Sequence, residues 1–141
     1  MEVKATHIKG MRFDMTLSTG YKFDIDASPA DGGTGPGARP MELLLAGLAG
    51  CTGMDIVSIL EKARQELTGF DVVVSGERRK EYPMIFTDIH VEYVIRGRDI
   101  SEDAVKRAIE LSETKYCSAE AMLEKSAKIT SSYRIIDNEV A

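Results

Sequence analysis

Residues 39–60 read Arg39-Pro40-Met41-Glu42-Leu43-Leu44-Leu45-Ala46-Gly47-Leu48-Ala49-Gly50-Cys51-Thr52-Gly53-Met54-Asp55-Ile56-Val57-Ser58-Ile59-Leu60, and they decide the fold. Pro40 suits the first position of a helix, where its missing N–H costs nothing. The composition predicts a helix over 40–67 that is apolar on most sides until Glu61. A helix apolar all round is buried all round. In a chain of 141 residues that needs either a sheet wrapped about it or a second subunit. The expectation is therefore a buried central helix completed by an intimate homodimer. Gly47, Gly50 and Gly53 recur every three residues and clear one stripe for another backbone. Leu43 to Leu60 matches a membrane span in length. However, Asp55, Thr52, Ser58 and three glycines would be expensive in lipid, so a core helix is expected.

Working outward, residues 2–25 alternate in short runs broken by Gly10 and by Ser18-Thr19-Gly20. They predict three antiparallel strands, with Phe13/Met15/Leu17 and Tyr21/Phe23/Ile25 as candidate buried faces. Residues 27–39 hold four glycines and two prolines and predict a loop; no phosphate-binding glycine spacing is met there. Beyond the helix, Thr68-Gly69 reads as a turn. Two strands follow, Phe70 to about Glu81 and Ile85 to Ile95, joined through Tyr82-Pro83 and ended by Gly97. Ile89/Val91/Tyr93/Ile95 alternates strictly. Ser101-Glu102-Asp103 opens a helix as an N-cap with acids in its first turn. Tyr116-Cys117-Ser118 interrupts it, Ala119 to Lys125 forms a short helix, and Ala127 to Ile136 a final strand. The order βββ-α-ββ-α-α-β, in blocks, predicts an α+β class with antiparallel-rich sheets and a single domain over residues 1–141.

A net charge of −5, with scattered lysines and arginines, gives no footprint for nucleic acid or an anionic membrane. The N-terminus Met1-Glu2-Val3-Lys4 has no apolar h-region, so no secretory signal and a cytoplasmic location are expected. In that compartment Cys51 and Cys117 are expected as thiols rather than a permanent disulfide. His7 and His90 stand apart without ligand spacing to a cysteine, so no metal site is expected. No Ser-His-Asp or paired-carboxylate hydrolase pattern stands out.

The run Arg39 to Cys51 resembles the segment that carries the reactive cysteine in the OsmC/Ohr family (osmotically inducible protein C and organic hydroperoxide resistance proteins). Its continuation, Thr52 to Leu60, looks like one branch of that family. Glu113-Thr114-Lys115-Tyr116-Cys117-Ser118 is similar to the family's second-cysteine segment, and the strand order is the family's own. The resemblance covers essentially the whole chain. It implies an OsmC-like fold and thiol-dependent reduction of organic hydroperoxides, with Cys51 peroxidatic and Cys117 resolving. No bound cofactor is implied; an external dithiol, typically lipoyl-type, is the implied reductant. The chemistry needs a thiolate at the first cysteine and a nearby thiol to trap its sulfenic acid.

Family peroxidases lower the thiolate pKa with an arginine held by a glutamate ten residues before the reactive cysteine. That position is Met41 here, with Glu42 one step on, about 100° around a helix. Glu42, Arg12 and Arg39 are the possible activating residues, and Glu42 is equally a surface acid compensating the helix dipole. Met41 and Met54 are candidate pocket-lining residues. Asp55 is expected to find a hydrogen-bond partner as a structural polar residue. The substitution at Met41 sustains a second reading: a non-catalytic protein of this fold that binds a small apolar or thiol-reactive ligand or senses oxidants.

Overall fold

The computed structural model describes residues 1–137. The chain divides into two compact units, Met1–Leu44 and Leu45–Ala141.

In the first unit, β1 (Lys4–Lys9), β2 (Arg12–Thr16) and β3 (Lys22–Ile25) form an antiparallel meander in that order. The three strands fall where the alternation put them. Their expected buried faces do not follow: Phe13 is 37% exposed, Tyr21 is 64% exposed, and Met15, Leu17, Phe23 and Ile25 are only half-buried. A three-stranded sheet of this size has nothing within its own unit to cover a face.

What the first unit does bury is a carboxylate. Asp26, 2% exposed, accepts the backbone N–H of Ala27 at 2.8 Å, of Thr34 at 3.2 Å and of Gly35 at 3.1 Å. The glycine-rich loop is therefore an ordered wrap around one acid. Gly33 is obligatory in it, since a Cβ there would lie 1.6 Å from the Ala27 carbonyl oxygen. The Thr34 amide above all, with those of Ala27 and Gly35 and the charge of Arg39, holds the Asp26 carboxyl below its ordinary range against the opposing effect of burial.

α1 (Pro40–Lys62) begins at Pro40, and Glu42 reaches back to accept the Arg39 backbone N–H at 3.2 Å, half of a capping box. It ends five residues short of the expected 67. Arg64 takes a left-handed φ of 59°, and the Gln65 N–H closes on the Leu60 carbonyl at 2.9 Å. Glycine is the usual residue at such a stop, and an arginine there gives no warning in the sequence. Thr68-Gly69, expected as a turn, instead lies inside β4 (Glu66–Arg78), at a register shift between Leu67 and Gly69.

In the second unit β4 pairs antiparallel with β5 (Phe86–Arg98), and β5 pairs parallel with β6 (Lys128–Asp137). The crossover between β5 and β6 carries α2 (Glu102–Leu111), a π-helical turn (Ser112–Tyr116) and α3 (Ser118–Leu123). Ser101 caps α2 as expected, its hydroxyl accepting the Ala104 N–H at 3.2 Å. Gly97 does not end β5 but lies within it. The core joins Ile89, Val91, Tyr93 and Ile95 of β5, the alternating set, to Leu48, Ile56 and Leu60 of α1 and to Val105 and Ala108 of α2.

The coverage of α1 is narrower than its composition suggests. Leu48, Thr52, Ile56 and Leu60, four apart, are buried, whereas Leu44 is 46% and Met54 75% exposed. Within this chain the helix is covered along one stripe. By length and apolarity it could cross a membrane.

Replacing Asp26 with alanine leaves three amides without their acceptor. Asp26→Ala is expected to accelerate hydrogen exchange at Thr34 and Gly35 severalfold while the amides of β5 keep their protection. Unchanged exchange at both loop amides would remove Asp26 from its organising role.

Candidate functional site

Cys51 sits on α1 and Cys117 at the junction between the π-helical turn and α3. Both are free thiols. Cys51 is half-buried and Cys117 is buried, 4% exposed. The two cysteines, 66 positions apart in the chain, come within electrostatic reach of one another. Burial pushes the Cys117 thiol up to about 12, opposed by the Glu120 N–H that it accepts at 3.4 Å and reinforced by the neighbouring Cys51 and Glu120. Cys117 is thus a protonated thiol at neutral pH, and its sulfur is the side-chain cap of α3.

The residue after Cys51 fixes where that cysteine lies. Thr52 is fully buried, and its hydroxyl meets Tyr93 Oη at 3.0 Å and Ser112 Oγ at 2.7 Å. Ser112 Oγ donates to Asp55 Oδ2 at 3.0 Å, and Tyr93 Oη approaches Glu113 Oε2 at 3.3 Å. Each hydroxyl has one proton. Three hydroxyls can therefore serve Tyr93→Thr52→Ser112→Asp55 with one proton each, which leaves the longest contact, to Glu113, to share Tyr93's. Desolvation first, and then the charges of Glu113 and Glu120, raise the Tyr93 phenol further above its ordinary range, so that proton stays on. Asp55 receives a hydrogen bond, as expected of an acid on an apolar helix.

Glu120 is 6% exposed. Burial, and next the nearby charges of Glu113 and Glu124, push its carboxyl up from 4.5 to about 7.

The expected activating residues all have partners in the first unit. Arg12 forms an ion pair with Asp24, Nη2 to Oδ2 at 2.6 Å. Arg39 donates from Nη1 to the Gly37 carbonyl at 2.7 Å and, at 3.5 Å, to that of Gly35. Glu42 serves as the cap of α1. Met54 lines an apolar cleft of about 470 Å³ with Gly50, Gly53, Val57, Phe70 and Val72; Met41, half-buried, does not. In that cleft a Cβ on Gly53 would stand 3.4 Å from Val72, so one of the three helix glycines does admit a close strand, while Gly47 and Gly50 face open space. His90 is held by Thr130 at 2.8 Å and Ser132 at 2.9 Å across the β5–β6 pair.

Sequence reasoning missed Thr52, Tyr93, Ser112, Glu113 and Glu120. A signal existed for the last: Glu120 is the third residue after Cys117, so it returns to the same side of a short helix.

Residues 32–132 match the family model described as "OsmC-like protein". Protein YhfA of Escherichia coli (strain K12) is 37% identical over 136 residues, covering 96% of this chain and 98% of YhfA. A crystal structure of a hypothetical protein from Aquifex aeolicus VF5 is 32% identical with a TM-score of 0.86, over 98% of this chain and 97% of that one. The organic hydroperoxide resistance protein OhrB of Bacillus subtilis shares the fold at 19% identity, with a TM-score of 0.62 over 95% of this chain and 98% of OhrB.

Two outcomes follow from the buried polar groups. Thr52→Val keeps the shape but removes the two hydrogen bonds that link Tyr93 and Ser112 through Thr52, leaving each hydroxyl only its carboxylate partner. It should destabilise the protein by about 2 kcal/mol in urea unfolding, and a neutral result would mean that the link contributes nothing. For Glu120, the folded state holds a proton that the unfolded chain releases between pH 4.5 and about 7. Its contribution therefore falls as pH rises through that window. Glu120→Gln cannot ionise, so it should match wild type in acid and exceed it by about 3 kcal/mol above the window. A pH-independent difference in melting temperature would contradict the burial of an ionisable acid.

Proposed function

Since the chain belongs to the OsmC family, we propose that it is a thiol-dependent peroxidase that reduces organic hydroperoxides through Cys51 and Cys117. The observation that carries this is the pairing of two free thiols of unequal exposure, one half-buried on α1 and one buried at the head of α3. The resemblance to hydroperoxide resistance proteins supplies the substrate class.

The Cys51 thiolate attacks the terminal peroxide oxygen. The O–O bond breaks, an alcohol leaves, and Cys51 becomes a sulfenic acid. Cys117 sulfur then displaces hydroxide from it, giving a disulfide and water. An external dithiol of lipoyl type resets the pair by exchange, so no bound cofactor takes part. The family resemblance calls for a cation beside the reactive thiol, with Arg12 and Arg39 as the candidates, and a reducing cytoplasm keeps the resting thiols free. The cleft lined by Met54, Val57, Phe70 and Val72 does not include Cys51 but reaches its chain neighbour Gly50, and its apolar lining suits an alkyl substituent. The functional unit in this proposal is a homodimer, in which a second copy covers the exposed Leu44 and the open Gly47.

A specific observation favours a second reading. Met41 stands where family peroxidases have glutamate, and the apolar cleft would serve equally to bind a small apolar or thiol-reactive ligand without turnover.

The deciding measurement is organic-hydroperoxide consumption with a dihydrolipoyl reductant, for wild type, Cys51→Ser and Cys117→Ser. Turnover is expected in the wild type, background rates in Cys51→Ser, and rapid inactivation by over-oxidation in Cys117→Ser. Arg12→Ala and Arg39→Ala identify the activating cation by which of them slows alkylation of Cys51. A wild type without turnover, with Cys51 slow to alkylate, would abandon the peroxidase in favour of the binding role.

A further inference from the structure

A second cleft opens along the face of α1 that carries Cys51. Of about 350 Å³, it is lined by Asp55, Ser58, Ile59 and Lys62 of α1, by Leu111 at the end of α2 and by Tyr116 at the end of the π-helical turn. That size falls within the range of small-molecule sites. Cys51, Asp55, Ser58 and Lys62 follow one another at intervals of four, three and four residues. Such spacing puts them on one face of the helix, next to the stripe that buries Thr52 and Ile56. The opposite wall leads to the other thiol, since Tyr116 is the residue before Cys117. There the chain winds as a π-helical turn, the Cys117 N–H closing on the Ser112 carbonyl at 2.8 Å. Widened turns of this kind recur at functional sites.

The charges in this cleft are held apart. Asp55 and Lys62 are of opposite sign on one face, yet they form no ion pair. Asp55 is fixed instead by Ser112, whose Oγ donates to Oδ2 at 3.0 Å and is itself tied to Thr52 at 2.7 Å. This carboxylate is therefore anchored to the core, and its other oxygen has no partner among the described residues. Among the same residues, the Ser58 hydroxyl, the Lys62 ammonium and the Tyr116 hydroxyl also lack a hydrogen bond or ion pair. Compensation of the helix dipole accounts for a cation in the last turn of α1, but not for a fixed carboxylate two turns earlier on the same face. The rest of the lining is apolar: Ile59, Leu111 and the ring of Tyr116, which is 50% exposed. An apolar body with a few convergent polar groups is the composition of a ligand site.

We propose that this cleft binds a free short peptide, or a zwitterion of the same length, with its ammonium on Asp55 and its carboxylate on Lys62. Seven residues of helix set Asp55 and Lys62 about 10 Å apart along the axis, and three extended residues span about the same length. Ser58, between them on the same face, and Tyr116 offer hydroxyls to the peptide backbone, while Ile59 and Leu111 take short side chains. Recognition of both charged ends selects a free peptide over an internal segment of a protein. The ammonium end sits one helical turn from Cys51, so a thiol or peroxide carried by the first residue is delivered to that sulfur. Binding itself involves no redox step, and it goes beyond the peroxidase reading without resting on it.

Trialanine is the probe, titrated into the reduced full-length protein and followed through the backbone amide NMR signals of Ser58, Ile59, Leu111 and Tyr116. Saturable shifts are expected at those positions, in the millimolar range. Acetylating the N-terminus of the peptide, or amidating its C-terminus, should each weaken binding about tenfold, because each removes one charge-assisted contact. Asp55→Asn keeps an acceptor for Ser112 and should weaken the free and amidated peptides but not the acetylated one. Lys62→Gln should weaken the free and acetylated peptides but not the amidated one. At saturation trialanine should also slow alkylation of Cys51 by iodoacetamide severalfold. No saturable shift, or shifts indifferent to both caps, overturns the site, and unchanged alkylation at saturation overturns its placement beside Cys51. Should either variant fail to fold, the capped peptides on the wild-type protein decide alone. A chain inert to hydroperoxides that still distinguishes the capped peptides would remove the peroxidase and leave the peptide site standing.

Discussion

One hydroxyl holds the second unit in register. Thr52 is the polar member of the stripe that α1 buries, and its oxygen bonds to Tyr93 in the centre of the sheet and to Ser112 at the start of the π-helical turn. Hydrocarbon contacts between Leu48, Ile56 and the strand would tolerate a small rotation or slide of the helix. A buried hydroxyl with two partners tolerates neither, because a displacement leaves polar atoms dry and unpaired. Cys51 is the adjacent residue, and Ser112 begins the segment that leads to Cys117. A single polar junction thereby sets the approach of both sulfurs.

The two cysteines divide their environments accordingly. Cys51 is half-exposed on a long, well-anchored helix, whereas Cys117 is buried at the head of a short one that it caps with its own sulfur. A reagent from solution meets the first thiol before the second. The second is kept protonated by burial, which protects it from oxidation but also withholds its nucleophilicity. Insulating a thiol and using it are opposed requirements.

Much of this was visible before any coordinates. The β-strand alternation, the cap at Ser101, the Pro40 helix start and the two cysteine segments each carry a local signal, and each is found where that signal puts it. The end of α1 was not, because its stop is an arginine in a conformation that glycine normally announces. The sheet faces around Phe13 and Tyr21 alternate correctly but remain open, since a period-two pattern says which side is apolar and not what covers it. At the site, the two cysteines were legible as candidates, while Thr52, Tyr93, Ser112 and Glu120 were not. They lie on four different segments, and their meaning arises only when the chain brings them together.

The parallel pairing of β5 with β6 also bears on how the molecule is made. β4 and β5 can zip from a short turn, but β6 reaches β5 only after the whole connection through α2 and α3 has closed on itself. Contacts of that span form late in folding, because their loop entropy is spent before any pairing compensates it. Cys117 rides on that connection. The pair is therefore among the last features assembled, because the segment that carries its second member is not placed until β6 has found β5.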